Sequence, residues 1–455
     1  MEKQNNADEL GVGKIGRLLL QYSIPAIIAT AAASLYNIID RIFIGQGVGP
    51  LAISGLALTF PLMNLAAAFG ALVGIGASTM VSIRLGQKRH TDAAMTLANA
   101  LMLNIVISIV YSIIMLIFLD NVLSVIGASP NTIQYAREFM QIILIGNVFT
   151  HIYMGMNNIM RSSGYPRKAM ITTLITVAVN LVLAPLFIFV FKWGIRGAAT
   201  ATVCAQFIGT VMVLTHFMRK EHLVHFVPGY FKFKKKIVID IFSIGMSNFM
   251  MLICATLIIV LLNRSLGVYG GDYAIGAYGI VNSILSIFVM VVIGLNQGMQ
   301  PIAGYNFGAK QFPRVMKVYK YTIIAGTCIT VLGFILGETI PHLLSRAFTT
   351  NDELVDMAVI GIRITVMMFP VVGFQVVTSS FFQSIAKAKI SILLSLSRQV
   401  LFLIPALIIL PKIFGLNGVW YSIPAADLSA SVVTLIVLNW QLKKMRKTHY
   451  LVTNE

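Results

Sequence analysis

Charge is what this chain has least of: Asp, Glu, Lys and Arg make up 11% of its 455 residues, and only 16 are acidic. Soluble domains carry about a quarter of their residues as charges, so a water-facing surface around the whole chain is excluded. Cysteine is equally sparse. Cys204, Cys254 and Cys328 lie in apolar stretches with no metal-ligand spacing, so neither a disulfide framework nor a cysteine metal centre follows, and all three are expected to pack in the core. No HExxH, GxSxG or P-loop pattern occurs, and no paired catalytic acids fall on a loop. Hydrolases and nucleotide-driven machines thus lack their chemistry here, and no enzyme activity or cofactor is expected.

Apolar residues are what is present, at 57% of the sequence with a mean hydropathy of +0.85. Such a chain is an integral membrane protein. A hydrocarbon core of about 30 Å takes roughly 20 helical residues, and twelve runs of that order recur. They fall near residues 17–44, 52–82, 94–119, 134–161, 167–191, 195–217, 237–265, 273–304, 315–337, 354–383, 390–411 and 416–440.

The net charge of +18 matters less than where it lies. Basic residues gather on alternate loops: Lys3, Lys14 and Arg17; Arg84, Lys88 and Arg89; Arg161, Arg167 and Lys168; the run from Arg219 to Lys236; Lys310 to Lys320; Lys387 and Lys389; and Lys443 to Lys447. By the positive-inside rule both termini and the 218–236 linker are cytoplasmic. The KFKKK run of that linker is read as a topology signal in contact with anionic lipid, not as a nucleic-acid site. A cleavable leader ending near ATAAAS would leave an odd number of spans and spoil the alternation, so the first span is expected to stay.

The chain repeats itself. GIGASTMVSIRLGQKRH (74–90) overlies NQGMQPIAGYNFGAKQF (296–312), so that Gly76, Gly86 and Lys88 fall on Gly298, Gly308 and Lys310. Further on, Gly194 and Gly197 match Gly415 and Gly418, and Pro185 matches Pro405. Six spans per half give both halves the same orientation, which predicts a pseudo-two-fold axis along the membrane normal and a cavity between the halves, as in transporters. The expected fold is therefore all-α integral membrane, twelve transmembrane helices in two pseudo-symmetric six-helix bundles around a central cavity. Its expected parts are lobes at 1–217 and 237–442, the basic linker 218–236 and a cytoplasmic tail 443–455.

YNIIDRIFIGQ (36–46), LGQKRHT (85–91), GLNQGMQPIAGYNFGAK (294–310), FFQSIAKAK (381–389) and GLNGVWYSIPAADL (415–428) together resemble the multidrug and toxic compound extrusion (MATE) family, in its bacterial drug and DNA-damage-inducible branch. The resemblance spans the whole chain. It implies export of cationic or amphipathic organic compounds from the cytoplasm, driven by inward H⁺ or Na⁺, in a bacterial cytoplasmic (inner) membrane. A monomer with membrane lipids around it and small molecules as partners is expected.

An ionisable side chain inside a span is a functional-site hypothesis by default, and Asp40 is the one near the end of the first. The family carries an aspartate there as its coupling site, followed by three residues and Ile-Gly, and Asp40 matches. Tyr36 and Asn37, four and three residues earlier, share its helical face; Arg41 points elsewhere and is read as an outer-interface anchor. The family's fifth-span pattern is Asn, three residues, then Asp-Pro. Here Asn180 matches and Ala184 stands in place of the acid. Thr202 matches a polar residue of the sixth span. Asp40, Asn180 and Thr202 offer oxygens to Na⁺, whereas H⁺ needs only Asp40, so both ions stay open.

The second half has no copy of Asp40, whose register falls on Leu262. Its buried acid is Asp427, read as structural or coupling, and His151 is either a proton relay or a hydrogen-bonded neutral ring. Arg363 and Arg398 lie far enough inside their spans to line the cavity, with snorkelling toward an interface as the default reading. Substrate-cavity candidates are Asn157, His151, Tyr153, Met154, Asn282, Gln297, Gln300 and Asp427, since amides rarely face lipid and Met and aromatic side chains suit varied cations. Met156, Met160 and Phe149 lie nearby, and Pro25 could kink the first span. The alternative function is a lipid-linked saccharide or peptidoglycan-precursor flippase, which would want intramembrane arginines for a pyrophosphate.

Overall fold

The computed structural model describes residues 8–453. Lys3 of the first basic group and residues 454–455 of the tail lie outside the described residues; of Arg446 and Lys447 only the helical backbone is described. The chain is nearly all helix. Six spans come first: α1 (Ile15–Gly47), α2 (Pro50–Gly86), α3 (His90–Ile117), α4 (Ile133–Ser162), α5 (Pro166–Val190) and α6 (Gly194–Met218). The element Lys235–Gly308 breaks at Gly271, whose φ of 67° and ψ of −163° no helix contains, giving α7 (235–270) and α8 (272–308). Then follow α9 (Phe312–Thr339), α10 (Asp352–Val366 with Phe369–Ser384), α11 (Ala388–Phe414) and α12 (Leu416–Thr453). Twelve spans are thus described, as the hydropathy pattern predicts.

Two departures from the sequence expectation have local causes. The tenth span is not one rod: its two segments meet at 54°, because Pro370 cannot donate a backbone hydrogen bond and restricts Phe369 before it. The expected tail from residue 443 is helical as far as Thr453, continuous with α12. Cys328 is exposed on α9, not packed in the core, as a thiol on an apolar outer face needs no protein partner. Cys204 and Cys254 are half-buried.

By density of contacts the chain forms two compact units. The first holds the residues up to Gly13, Ile24–Phe249 and Gly304–Ala309. Its core gathers Ile44, Leu62, Tyr111, Phe139, Leu144 and Ala198. Glycines let helices cross within it: a Cβ on Gly86 would stand 1.9 Å from the Tyr305 carbonyl oxygen, and one on Gly308 2.0 Å from that of Ile83. These are the two glycines the internal repeat aligns. The lysines two residues later, Lys88 (φ 61°) and Lys310 (φ 58°), both take the left-handed conformation that ends the helix. The linker also belongs to this unit, where the Asn99 side chain donates to the Lys232 carbonyl at 3.3 Å and accepts from the Lys234 backbone N–H at 3.0 Å.

The second unit holds Lys14–Ser23, Met250–Ala303 and the chain from Lys310. Leu262, Leu266, Ala277, Ile362, Phe369 and the fully buried Trp420 make its core. Asn351 caps the first segment of α10 by accepting from the Leu354 N–H at 3.0 Å. Each unit carries one π-helical stretch, Leu186–Val190 directly after Pro185 and Ser397–Leu403 just before Pro405. Such bulges leave carbonyls without the usual partner and re-aim side chains. Both lie in spans that carry candidate site residues.

Candidate coupling site and polar centres

Three helices of the first unit join polar side chains at Tyr36, Asn180 and Thr202, with Asp40 one turn from Tyr36. Asp40 and Tyr36 come from α1, Asn180 from α5 and Thr202 from α6. The Tyr36 hydroxyl and Thr202 Oγ1 share a 3.0 Å hydrogen bond. Asn180 Nδ2 donates to both, at 3.1 Å to Thr202 and 3.3 Å to Tyr36. Thr202 Oγ1 also donates to the Ala198 carbonyl of its own helix at 3.1 Å. The donor side of the amide is therefore spent on hydroxyls, and its Oδ1 is buried with no hydrogen-bond partner. Asp40, one turn along from Tyr36 and 8% exposed, likewise has a buried Oδ1 with no partner. Two buried acceptor oxygens thus lack donors, one on Asn180 inside the hydrogen-bonded group and one on Asp40 a helical turn from Tyr36.

Asn37 does not join this network. It is exposed, and its amide donates to the Ala33 carbonyl one turn back. Ala184 sits one turn beyond Asn180, fully buried in the apolar core of the unit. The place of the family's second acid is thus filled by packing. Among the described residues no group of three or more His, Cys, Asp or Glu side chains is gathered as a metal site.

A second polar group lies along α4 and α5. Asn157, 6% exposed, donates to Thr173 Oγ1 at 3.0 Å and to the Ala169 carbonyl at 3.3 Å. The Tyr153 hydroxyl donates to the same Thr173 at 3.0 Å. Nothing in the sequence marks Thr173 out, one hydroxyl among several in α5. His151 is fully buried, its ring against the backbone of Gly70 and near the Ala66 carbonyl. Met156 and Met160 are core residues, whereas Met154 is exposed. Phe149 stacks edge-on against Phe207 at 5.1 Å.

In the second unit Asp427 is buried and paired. Arg398 Nε donates to its Oδ1 at 2.6 Å, so this arginine does not snorkel away as expected. Arg398 lies within the π-helical stretch Ser397–Leu403. Arg363 and Asn282 are exposed, and Gln297 and Gln300 are half-buried on α8. The repeat holds one further signal: the shift that takes Gly197 to Gly418 takes Gln206 to Asp427. Gln206 is hydrogen-bonded to Thr150, so a polar contact occupies the same register of both sixth spans.

Twelve helical spans and a buried acid in each unit are the features to set beside known membrane proteins. The MatE family model matches residues 25–186 and 244–408, more than half of the chain, and the protein belongs to that family. It is similar to the multidrug export protein MepA of Staphylococcus haemolyticus, 26% identical over 424 residues that make 93% of each chain. Among solved structures it resembles the MATE multidrug transporter DinF-BH, with a TM-score of 0.88, 34% identity and coverage of 96% and 98%. The outward-facing conformation of a multidrug resistance MATE family transporter of the MOP superfamily shares the fold, with a TM-score of 0.92 at 22% identity over 97% and 99% of the chains.

Proposed function

We propose that this protein is a secondary antiporter that exports cationic or amphipathic organic compounds from the cytoplasm against inward H⁺ or Na⁺, with Asp40 as the coupling site. The observation that carries this reading is the pair of buried acceptor oxygens, Asp40 Oδ1 and Asn180 Oδ1, each without a donor. A proton would be taken at Asp40 alone. Na⁺ would be held by Asp40 and Asn180, with the Thr202 hydroxyl adjacent. In both cases one positive charge neutralises the site, and its arrival or loss would bias two conformations of the transporter.

The orientation that supports export has both termini in the cytoplasm of a bacterial inner membrane, as the basic loops favour. The working division is two six-helix lobes, 1–217 and 237–442, moving as a monomer by alternating access. The Tyr153, Asn157 and Thr173 group is the favoured polar contact for substrate in the first lobe. The flippase reading loses its main support, because Arg398 is neutralised by Asp427 and is not available to a pyrophosphate. Asp40→Asn should abolish ethidium efflux while the variant keeps its elution profile and melting temperature. Wild-type efflux by that variant would refute the assignment.

A further inference from the structure

Between the carboxy-terminal end of α1 and the start of α2, the first unit opens a groove of about 520 Å³. Ile38, Ile42 and Ile53 line it, and all three are exposed. Gly45 lets α2 approach, since a Cβ there would meet Ile53 Cδ1 at 2.7 Å. The polar groups of the lining are Arg41 and Gln46. Arg41 is held with its guanidinium carbon 4.4 Å from the centre of the Phe60 ring, which fixes its direction. Among the described residues it takes part in no ion pair, and no acidic side chain lines the groove. Asp40, its neighbour in sequence, is buried.

Arg41 lies six residues from the helix end at Gly47, about 9 Å along the axis, near one end of the span, where charged side chains meet lipid headgroups. Arg41 acts on the Asp40 carboxylate only electrostatically, without an ion pair, and its guanidinium donors on the groove side are open to an anion. The shape below it, three isoleucines along one face, suits a methylene chain. We propose that this groove binds an anionic phospholipid, with the phosphodiester on Arg41 and Gln46 and an acyl chain along Ile38, Ile42 and Ile53. Phosphate geometry favours arginine through paired N–H donors. The site is separate from the Asp40 network and does not depend on the direction of transport.

Native mass spectrometry of the full chain, released from detergent with equimolar dioleoyl phosphatidylglycerol and phosphatidylcholine, reads the site directly. One phosphatidylglycerol should be retained at least tenfold more than phosphatidylcholine. Arg41→Gln should remove that preference and Arg41→Lys should keep part of it. Ile42→Trp, which fills the groove without touching the charge, should lower retention of both lipids; unchanged melting temperatures establish that the variants are folded. Equal retention of the two lipids by the wild type, or an unchanged preference in Arg41→Gln, would overturn the proposal. So would displacement of no lipid together with tighter binding of ethidium to Arg41→Gln, which would assign the groove to transported dye.

Discussion

Breaking the Arg398–Asp427 pair from its two ends should have unequal consequences. Asp427 is 3% exposed at its side chain and Arg398 32%, with 2.6 Å between Nε and Oδ1. Arg398→Met would leave a carboxylate inside apolar helices with no counter-charge, and removal of one partner of a buried pair costs about 3–5 kcal/mol. Asp427→Leu would leave a guanidinium whose side chain is already partly open to water, so the loss should be nearer about 1 kcal/mol. Replacing both, Arg398→Met with Asp427→Leu, removes the charges together with the cost of desolvating them and should fall within about 1 kcal/mol of the wild type. Equilibrium unfolding in mixed micelles by SDS titration, followed by tryptophan fluorescence, gives all four free energies. Strict additivity of the single losses in the double variant would refute the reasoning, since it would mean that neither charge depends on the other.

The repeated glycines supply a second test. Gly308→Ala places a methyl 2.0 Å from the Ile83 carbonyl oxygen, which is backbone and cannot swing aside, whereas Gly229→Ala meets nothing within 4 Å. The first should cost at least about 1–3 kcal/mol of stability and the second under about 0.5 kcal/mol, measured in the same titration. Thr202→Val removes the hydroxyl shared by Tyr36 and Asn180; at about 0.6 kcal/mol per interhelical bond the half-saturating concentration of the coupling ion should rise several-fold with expression unchanged. Outside the spans, the Tyr165 hydroxyl meets His222 Nδ1 at 2.8 Å, and burial with Lys168 and Arg219 close by holds the imidazole below its usual value. The folded state therefore binds that proton less readily than the unfolded chain. Stability should be full above about pH 6.5 and decline as the pH falls below it, and His222→Phe should flatten that decline in a melting-temperature profile.

Hydropathy is enough to count the spans because each must cover the same thickness of hydrocarbon, and that length is written residue by residue. The break at Gly271 falls in the gap between the seventh and eighth apolar runs, so the turn is readable even though the helix signal hardly pauses. The bend before Pro370 is not, because a proline near a helix start and one at a kink look alike without the neighbouring turn. At the candidate site, the spacing of Tyr36 and Asp40 and the family pattern at Asn180 and Thr202 point to three helices whose Tyr36, Asn180 and Thr202 side chains are hydrogen-bonded. The hydrogen bonds among Tyr36, Asn180 and Thr202 join residues up to 166 positions apart, and local patterning carries no such distances. Asn37 shows the same limit from the other side: it shares a helical face with Asp40, yet its amide is satisfied one turn back at Ala33. The pairing of Arg398 with Asp427 escapes the sequence because it joins residues 29 positions apart on two helices, a contact that local patterning does not carry.

Asp40 as the coupling site is tested most directly by substrate-driven ion flux. Purified protein in proteoliposomes with a trapped pH indicator, or with ²²Na⁺ in the lumen, receives a pulse of ethidium with the pH and Na⁺ gradients imposed one at a time. Wild-type protein should move one of the two ions in step with the dye, and Asp40→Asn should move neither above the empty-liposome rate. Ion movement by Asp40→Asn at the wild-type ratio to dye would contradict the account.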